Sequence, residues 1–141
     1  MDELDPRADY PLGTRRPDLV RTPSGLQLDE LTLDALRAGR LDPSDMRATR
    51  ETLLRQAAVA RASGRTQLAQ NLERAAELTA LPDDLIIEIY TALRPHRSTA
   101  AELESWAERL ASDFGAPSVA AFVREAKEAY ADRSLLSEAS R

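Results

Sequence analysis

His96 is the only imidazole in a chain without cysteine, so it is the first residue to weigh for acid–base chemistry. It follows Pro95 in a polar junction between Arg94 and Arg97, and two cations so near oppose protonation of the ring. No carboxylate adjoins it to orient the imidazole, so a surface or interface position is the simpler reading. Glu73 and Glu77 stand four residues apart and would share a helix face, as two metal-ligating carboxylates do. Arg74 lies beside them, and the Glu-x-x-His pairing of di-iron bundles is missing. Asp83 and Asp84 follow Pro82, where the positive end of a helix dipole accounts for both. Ser63-Gly64-Arg65 is a helix junction rather than a nucleophile elbow, because no strand precedes it. The glycines are isolated, which leaves no phosphate-cradling loop. Trp106 falls within a regular apolar stripe and reads as core rather than a ligand platform. The residues nominate no catalytic, cofactor-binding or metal-ligating set.

The segments that would position these residues fall into two zones. Residues 1–27 hold Pro6, Pro11, Pro17 and Pro23 with Gly13 and Gly25, and each proline removes a helical donor and extends its predecessor. The spacing predicts an extended arm, either disordered or laid along a partner by Tyr10, Leu12, Leu19 and Val20. Residues 28–141 read as one helical domain. A short helix over Leu31–Ala38 ends at Gly39, and Asp42-Pro43-Ser44 makes a turn or a single helical turn. A longer helix from Thr49 to Ser63 should bury Leu53, Leu54, Ala57 and Ala58, and in the next, Arg65 to Thr79, Leu68, Leu72, Ala75, Ala76 and Thr79 recur at helical spacing. Pro82 fits the first position of a helix so apolar (Leu85, Ile86, Ile87, Ile89, Tyr90, Leu93) that it should be central. Thr99-Ala100-Ala101-Glu102 is a capping box ahead of the stripe Leu103, Trp106, Ala107, Leu110 and Phe114. The last helix starts at Pro117, with Val119, Phe122, Val123, Ala126 and Tyr130 on one face. No strand signal competes. The expected fold is all-α, with five to six helices and a proline-rich N-terminal arm.

Composition narrows the function classes. The 141 residues suit one domain, 43% hydrophobic and 30% charged, with aromatics at 4%, so the core must be built from Leu, Ala and Val. Absence of cysteine excludes a disulfide, a thiolate metal site and a thiol nucleophile. The net charge of −5 is opposite to the usual footprint of a nucleic-acid binder. No apolar run approaches the roughly 20 residues of a membrane span, and the acidic start lacks a signal-peptide pattern, so a cytoplasmic location is expected. All but one of the 19 basic residues are arginine, the exception being Lys127.

Collinear blocks then carry a resemblance. They are Asp9-Tyr10-Pro11-Leu12, Pro17-Asp18-Leu19-Val20-Arg21-Thr22, Leu28-Asp29-Glu30-Leu31-Thr32-Leu33, Asp45-Met46-Arg47 and Glu51-Thr52-Leu53 with Gln56-Ala57. The longest is Asn71-Leu72-Glu73-Arg74-Ala75-Ala76-Glu77-Leu78-Thr79, continuing through Pro82-Asp83-Asp84. Glu88-Ile89-Tyr90, Ala92-Leu93-Arg94-Pro95, Arg97-Ser98-Thr99 and Ala121-Phe122-Val123-Arg124-Glu125-Ala126 follow. Over about Asp9 to Leu136 the chain resembles the small (gamma) subunit of adenosylcobalamin-dependent diol and glycerol dehydratases. Ala48 departs from a larger aliphatic, Arg50 from a helix-opening proline, and Leu72 from an aromatic.

The resemblance implies a hydro-lyase that turns propane-1,2-diol, glycerol or ethane-1,2-diol into an aldehyde and water by a radical hydroxyl shift. It implies that substrate and adenosylcobalamin are held by the large and medium subunits, in a dimer of heterotrimers. This chain would pack on the large subunit through the arm and through arginines such as Arg15, Arg16 and Arg97, contributing no catalytic residue. Longer family members carry an N-terminal extension linked to bacterial microcompartments, whereas only eight residues precede Asp9, so that residence is not indicated. The competing reading is a free-standing helical adaptor or regulator, touching nucleic acid through Arg15–Arg21 against the field of an acidic chain. A small di-metal helical enzyme is a third, and no stoichiometric transition metal is expected.

Overall fold

Side-chain caps written into the sequence start three of the seven helices among the described residues. Thr32, Thr49 and Thr99 each accept a backbone N–H from three residues ahead, relieving a donor that the first turn leaves unpaired. At Thr99 the bond is reciprocal: Glu102 Oε2 accepts the Thr99 N–H at 2.8 Å while Thr99 Oγ1 accepts the Glu102 N–H at 3.2 Å. The computed structural model describes residues 4–138. Within them lie helices α1 (Leu12–Arg15), α2 (Leu33–Arg37), α3 (Arg50–Ala62), α4 (Thr66–Leu78), α5 (Asp83–Ala92), α6 (Ala100–Ser112) and α7 (Pro117–Asp132). Three 3₁₀ turns, Pro17–Leu19, Leu28–Glu30 and Pro43–Met46, join the first elements. The described residues form no strand, only an isolated antiparallel bridge between Arg21 and Gln27. The all-α expectation holds. The helix beyond the expected six is α1, a single turn after Pro11 and too short to show a 3.6-residue period.

The residues group into two compact units, one ending at Thr79 and the other beginning at Ala80. In the first, α3 and α4 form a hairpin around Gly64, whose φ of 74° is the left-handed geometry that lets the chain reverse. The Arg65 N–H returns to the Ala60 carbonyl at 2.8 Å and the Gly64 N–H to Arg61 at 3.0 Å, closing a Schellman motif. Ala57 and Ala60 of α3 meet Ala69 of α4, with Leu72 packed alongside. Methyl-sized side chains let the two helices approach closely, and larger residues are turned outward. Leu54, expected on the buried side, is exposed as a result, as is Leu68 on α4, while Val59 and Ala60 are buried.

The proline-rich segment is not a free extension. Leu12 is buried, Leu19 and Val20 are half-buried, and the Arg55 guanidinium of α3 donates to the Leu19 carbonyl at 2.6 Å. Ser24 Oγ donates to buried Asp45 at 2.5 Å, and Asp45 also accepts the Asp42 N–H at 2.9 Å. These bonds fasten residues 19–24 to the chain's own α3 and to the Pro43–Met46 turn.

The second unit is built on longer side chains. Leu103, Ala107 and Leu110 of α6 are buried with Val119, Ala120 and Val123 of α7. Leu85 and Ile89 of α5 are buried too. The Glu104 carboxylate of α6 bridges Arg124 (2.8 Å) and Lys127 (2.5 Å) of α7. Tyr130 donates its hydroxyl to the Leu93 carbonyl at 2.5 Å, tying the end of α5 to α7. Helix α5 is not enveloped as its composition predicts: Ile87 is 66% exposed and Tyr90 68%. At about 100° per residue, both lie on the side opposite the Leu85–Ile89 stripe. Phe122 is likewise exposed, and Pro82 caps α5 with an extended ψ of 145° instead of opening it.

Candidate functional site

Each sequence candidate can now be placed. His96 is exposed on a turn with a φ of 61°, and its backbone N–H donates to the Leu135 carbonyl at 2.7 Å. Arg94 and Arg97 on the same turn are exposed as well. Glu73 is ion-paired with Arg61 across the α3–α4 hairpin, and Glu77 is buried and partnered. Asp84 accepts the Leu85 N–H at 2.9 Å at the start of α5. Ser63 Oγ donates to the Val59 carbonyl at 3.0 Å, a helix-end bond. Trp106 is half-buried under the Arg109 guanidinium, 4.6 Å from the ring centroid. No cluster of metal-ligating side chains forms among the described residues.

Of the arginines expected to dock outward, Arg16 is held internally by Asp9 at 3.2 Å and Asp18 at 3.0 Å. Its guanidinium beside Asp18 holds that carboxyl below the usual carboxylate range. Arg15 donates to the Ala8 carbonyl at 2.9 Å. Arg97 remains on the surface. Sequence reasoning missed Asp45, whose pKa is depressed by the Ser24 hydroxyl and then by the Asp42 N–H. The signal was available, since Asp42 and Asp45 have the three-residue spacing of a capping box at a Pro43 turn. Glu104 is lowered by the bonds from Lys127 and Arg124. These are structural ion pairs and caps, and they account for the shifted acids without chemistry.

Two concave features lie in the first unit. One is a groove of about 610 Å³ between residues 10–20 and the α3–α4 hairpin, lined mainly by apolar groups such as Leu12, Val59 and Leu72, with Gln56, Ser63 and Arg65 as its polar members. The other, about 210 Å³, runs beside Leu28, Met46 and Thr52. Neither lining fits a corrinoid, whose amide-bearing rim calls for many convergent hydrogen-bond partners. No helix among the described residues is long and apolar enough to cross a membrane.

The described residues form a helical fold in which several acids are committed to caps and ion pairs and several large apolar side chains face outward, a surface that suits a subunit of an assembly. The family is then shown by comparison: the model of the dehydratase small subunit matches residues 6–137, and the chain belongs to that family. It is a subunit of a dehydratase, a lyase, and so has partner subunits. The propanediol dehydratase small subunit of Salmonella typhimurium is 49% identical over 129 residues, covering 92% of this chain and 75% of its own. The protein of the same name from Citrobacter freundii is 49% identical over 128 residues, covering 91% and 74%.

Proposed function

We propose that the chain is the small subunit of an adenosylcobalamin-dependent diol dehydratase converting propane-1,2-diol, or a close relative such as glycerol, to the aldehyde and water. The observation that carries this reading is 49% identity to propanediol dehydratase small subunits over nine-tenths of the chain. Its part is structural. It packs on the large subunit within a dimer of heterotrimers in the cytoplasm, while cofactor and substrate are held by the large and medium subunits. The radical chemistry is the cofactor's, and the protein supplies position and electrostatics. This chain contributes no catalytic residue, a reading supported by the pairing of Glu73 with Arg61 and by the Ser63 hydroxyl's bond to its own helix end.

Co-expression with the large and medium subunits tests the proposal. The chain should copurify with both and be required for cobalamin-dependent diol conversion. Full activity from the other two subunits alone would overturn it. Assay on propane-1,2-diol and glycerol in parallel assigns the substrate.

A further inference from the structure

The geometry points to the groove of about 610 Å³ in the first unit as the docking site for a segment of a partner subunit that inserts apolar side chains and ends in a carboxylate. This rests on the small-subunit reading above and adds the chemistry of one contact. The floor of the groove is apolar, formed by Leu12, Val59 and Ala60, and its rim carries Tyr10 and Leu68 at 61% and 43% exposure. Large apolar groups on a rim are desolvated only by an occupant that covers the rim as well as the floor.

Charge selects the occupant. Arg65 lines the groove at the N-cap of α4, and its side chain has no hydrogen bond or ion pair among the described residues. The neighbouring cation, Arg61, is paired with Glu73. No Asp or Glu lines the groove, and the unpaired N–H groups of the first turn of α4 add partial positive charge. In a chain of net charge −5 this is a local positive pole beside an apolar cleft. A symmetric contact with a second copy would bring two Arg65 guanidinium groups to one surface with no acid in either lining, so self-association is disfavoured. A small polar ligand would find one cation and few converging donors. A partner chain bearing Leu-, Val- or Phe-like groups and an Asp or Glu satisfies both features.

The test is titration of the complete chain against the reconstituted large and medium subunits, reading the bound fraction. Leu68→Asp should weaken association by about tenfold or more, the effect of losing an interface anchor. Arg65→Glu should weaken it by a similar factor, Arg65→Lys should retain it to within about threefold, and added salt should narrow the gap between Arg65→Glu and wild type. Arg65→Glu places an acid at a helix start, which the dipole favours, so its lost binding cannot be ascribed to lost fold; melting curves check both variants. Association of both variants within about twofold of wild type would overturn the inference while leaving the small-subunit reading intact. So would a self-dimer of the isolated chain that Leu68→Asp breaks. Failure of the wild-type chain to associate at all would overturn the reading and the inference together.

Discussion

The two units of this chain hold themselves together in opposite ways. The unit beginning at Ala80 buries long side chains: Leu103, Leu110 and Val123 are the largest residues with almost no exposed surface, and all three lie on α6 and α7. The unit ending at Thr79 centres on Ala57, Ala60 and Ala69, and sends Tyr10, Leu28, Leu33, Leu36, Met46, Leu54 and Leu68 to the surface. The grooves of about 610 and 210 Å³ are in that unit. An interior of alanine methyls yields less stabilisation per residue than one of leucines, at about 25 cal/mol per Å² of apolar surface removed from water. The first unit therefore leans on polar fastenings, Arg55 to Leu19 and Ser24 to Asp45, and keeps its large apolar groups available to another chain. The second unit has the larger buried side chains, although Ile87, Tyr90 and Phe122 stay exposed on it, and the first unit presents more of its large apolar groups to a partner.

The contrast can be broken by experiment, starting with the core of the second unit. Leu110→Ala should cost about 2–5 kcal/mol, read as a lower urea midpoint of the isolated chain, because the cavity lies among side chains that cannot collapse into it. A loss below about 1 kcal/mol would mean that this core is not closed. Removing the capping box by Thr99→Ala should cost about 1 kcal/mol in the same assay.

The polar fastening of the first unit gives a pH signature. The folded-state pKa of Asp45 lies below its unfolded value, so its contribution is complete above the unfolded pKa of about 3.9 and fades as pH falls through the folded one. Asp45→Asn should lower the denaturant midpoint at pH 7, and the two proteins should converge as pH falls through the folded-state value. A gap that persists unchanged into acid would detach Asp45 from the ionic role. The smallest effect belongs to the exposed leucines. Leu36→Ser on α2 should change the stability of the isolated chain by no more than about 0.5 kcal/mol.

Much of the fold was legible because its signals are local. The capping threonines, the glycines after α2 and α3 and Pro117 are chemistry within a single turn, and the helix bounds fall within a residue or two of them. Which face is buried was less legible. In α3 the periodicity marks both Leu54 and Ala57, and only the close approach of α4 decides in favour of alanine. In α5 nearly every position is apolar, so composition alone could not say that Ile87 and Tyr90 face out. How the arm is held was not legible, because prolines erase helical periodicity and its fastenings reach to Asp45 and Arg55, 21 and 36 residues away. The poverty of catalytic candidates was plain from one histidine and no cysteine. The groove was not, since it exists only once residues 10–20 lie on the hairpin.

Amide hydrogen exchange of the chain alone and within the reconstituted dehydratase tests the central contrast most directly. The account expects added protection over residues 10–20 and 56–72 on assembly, with the buried stretch of α6 and α7 equally slow in both states. Protection that gathers on α6 and α7 while the groove of the first unit stays as open as in the free chain would contradict it.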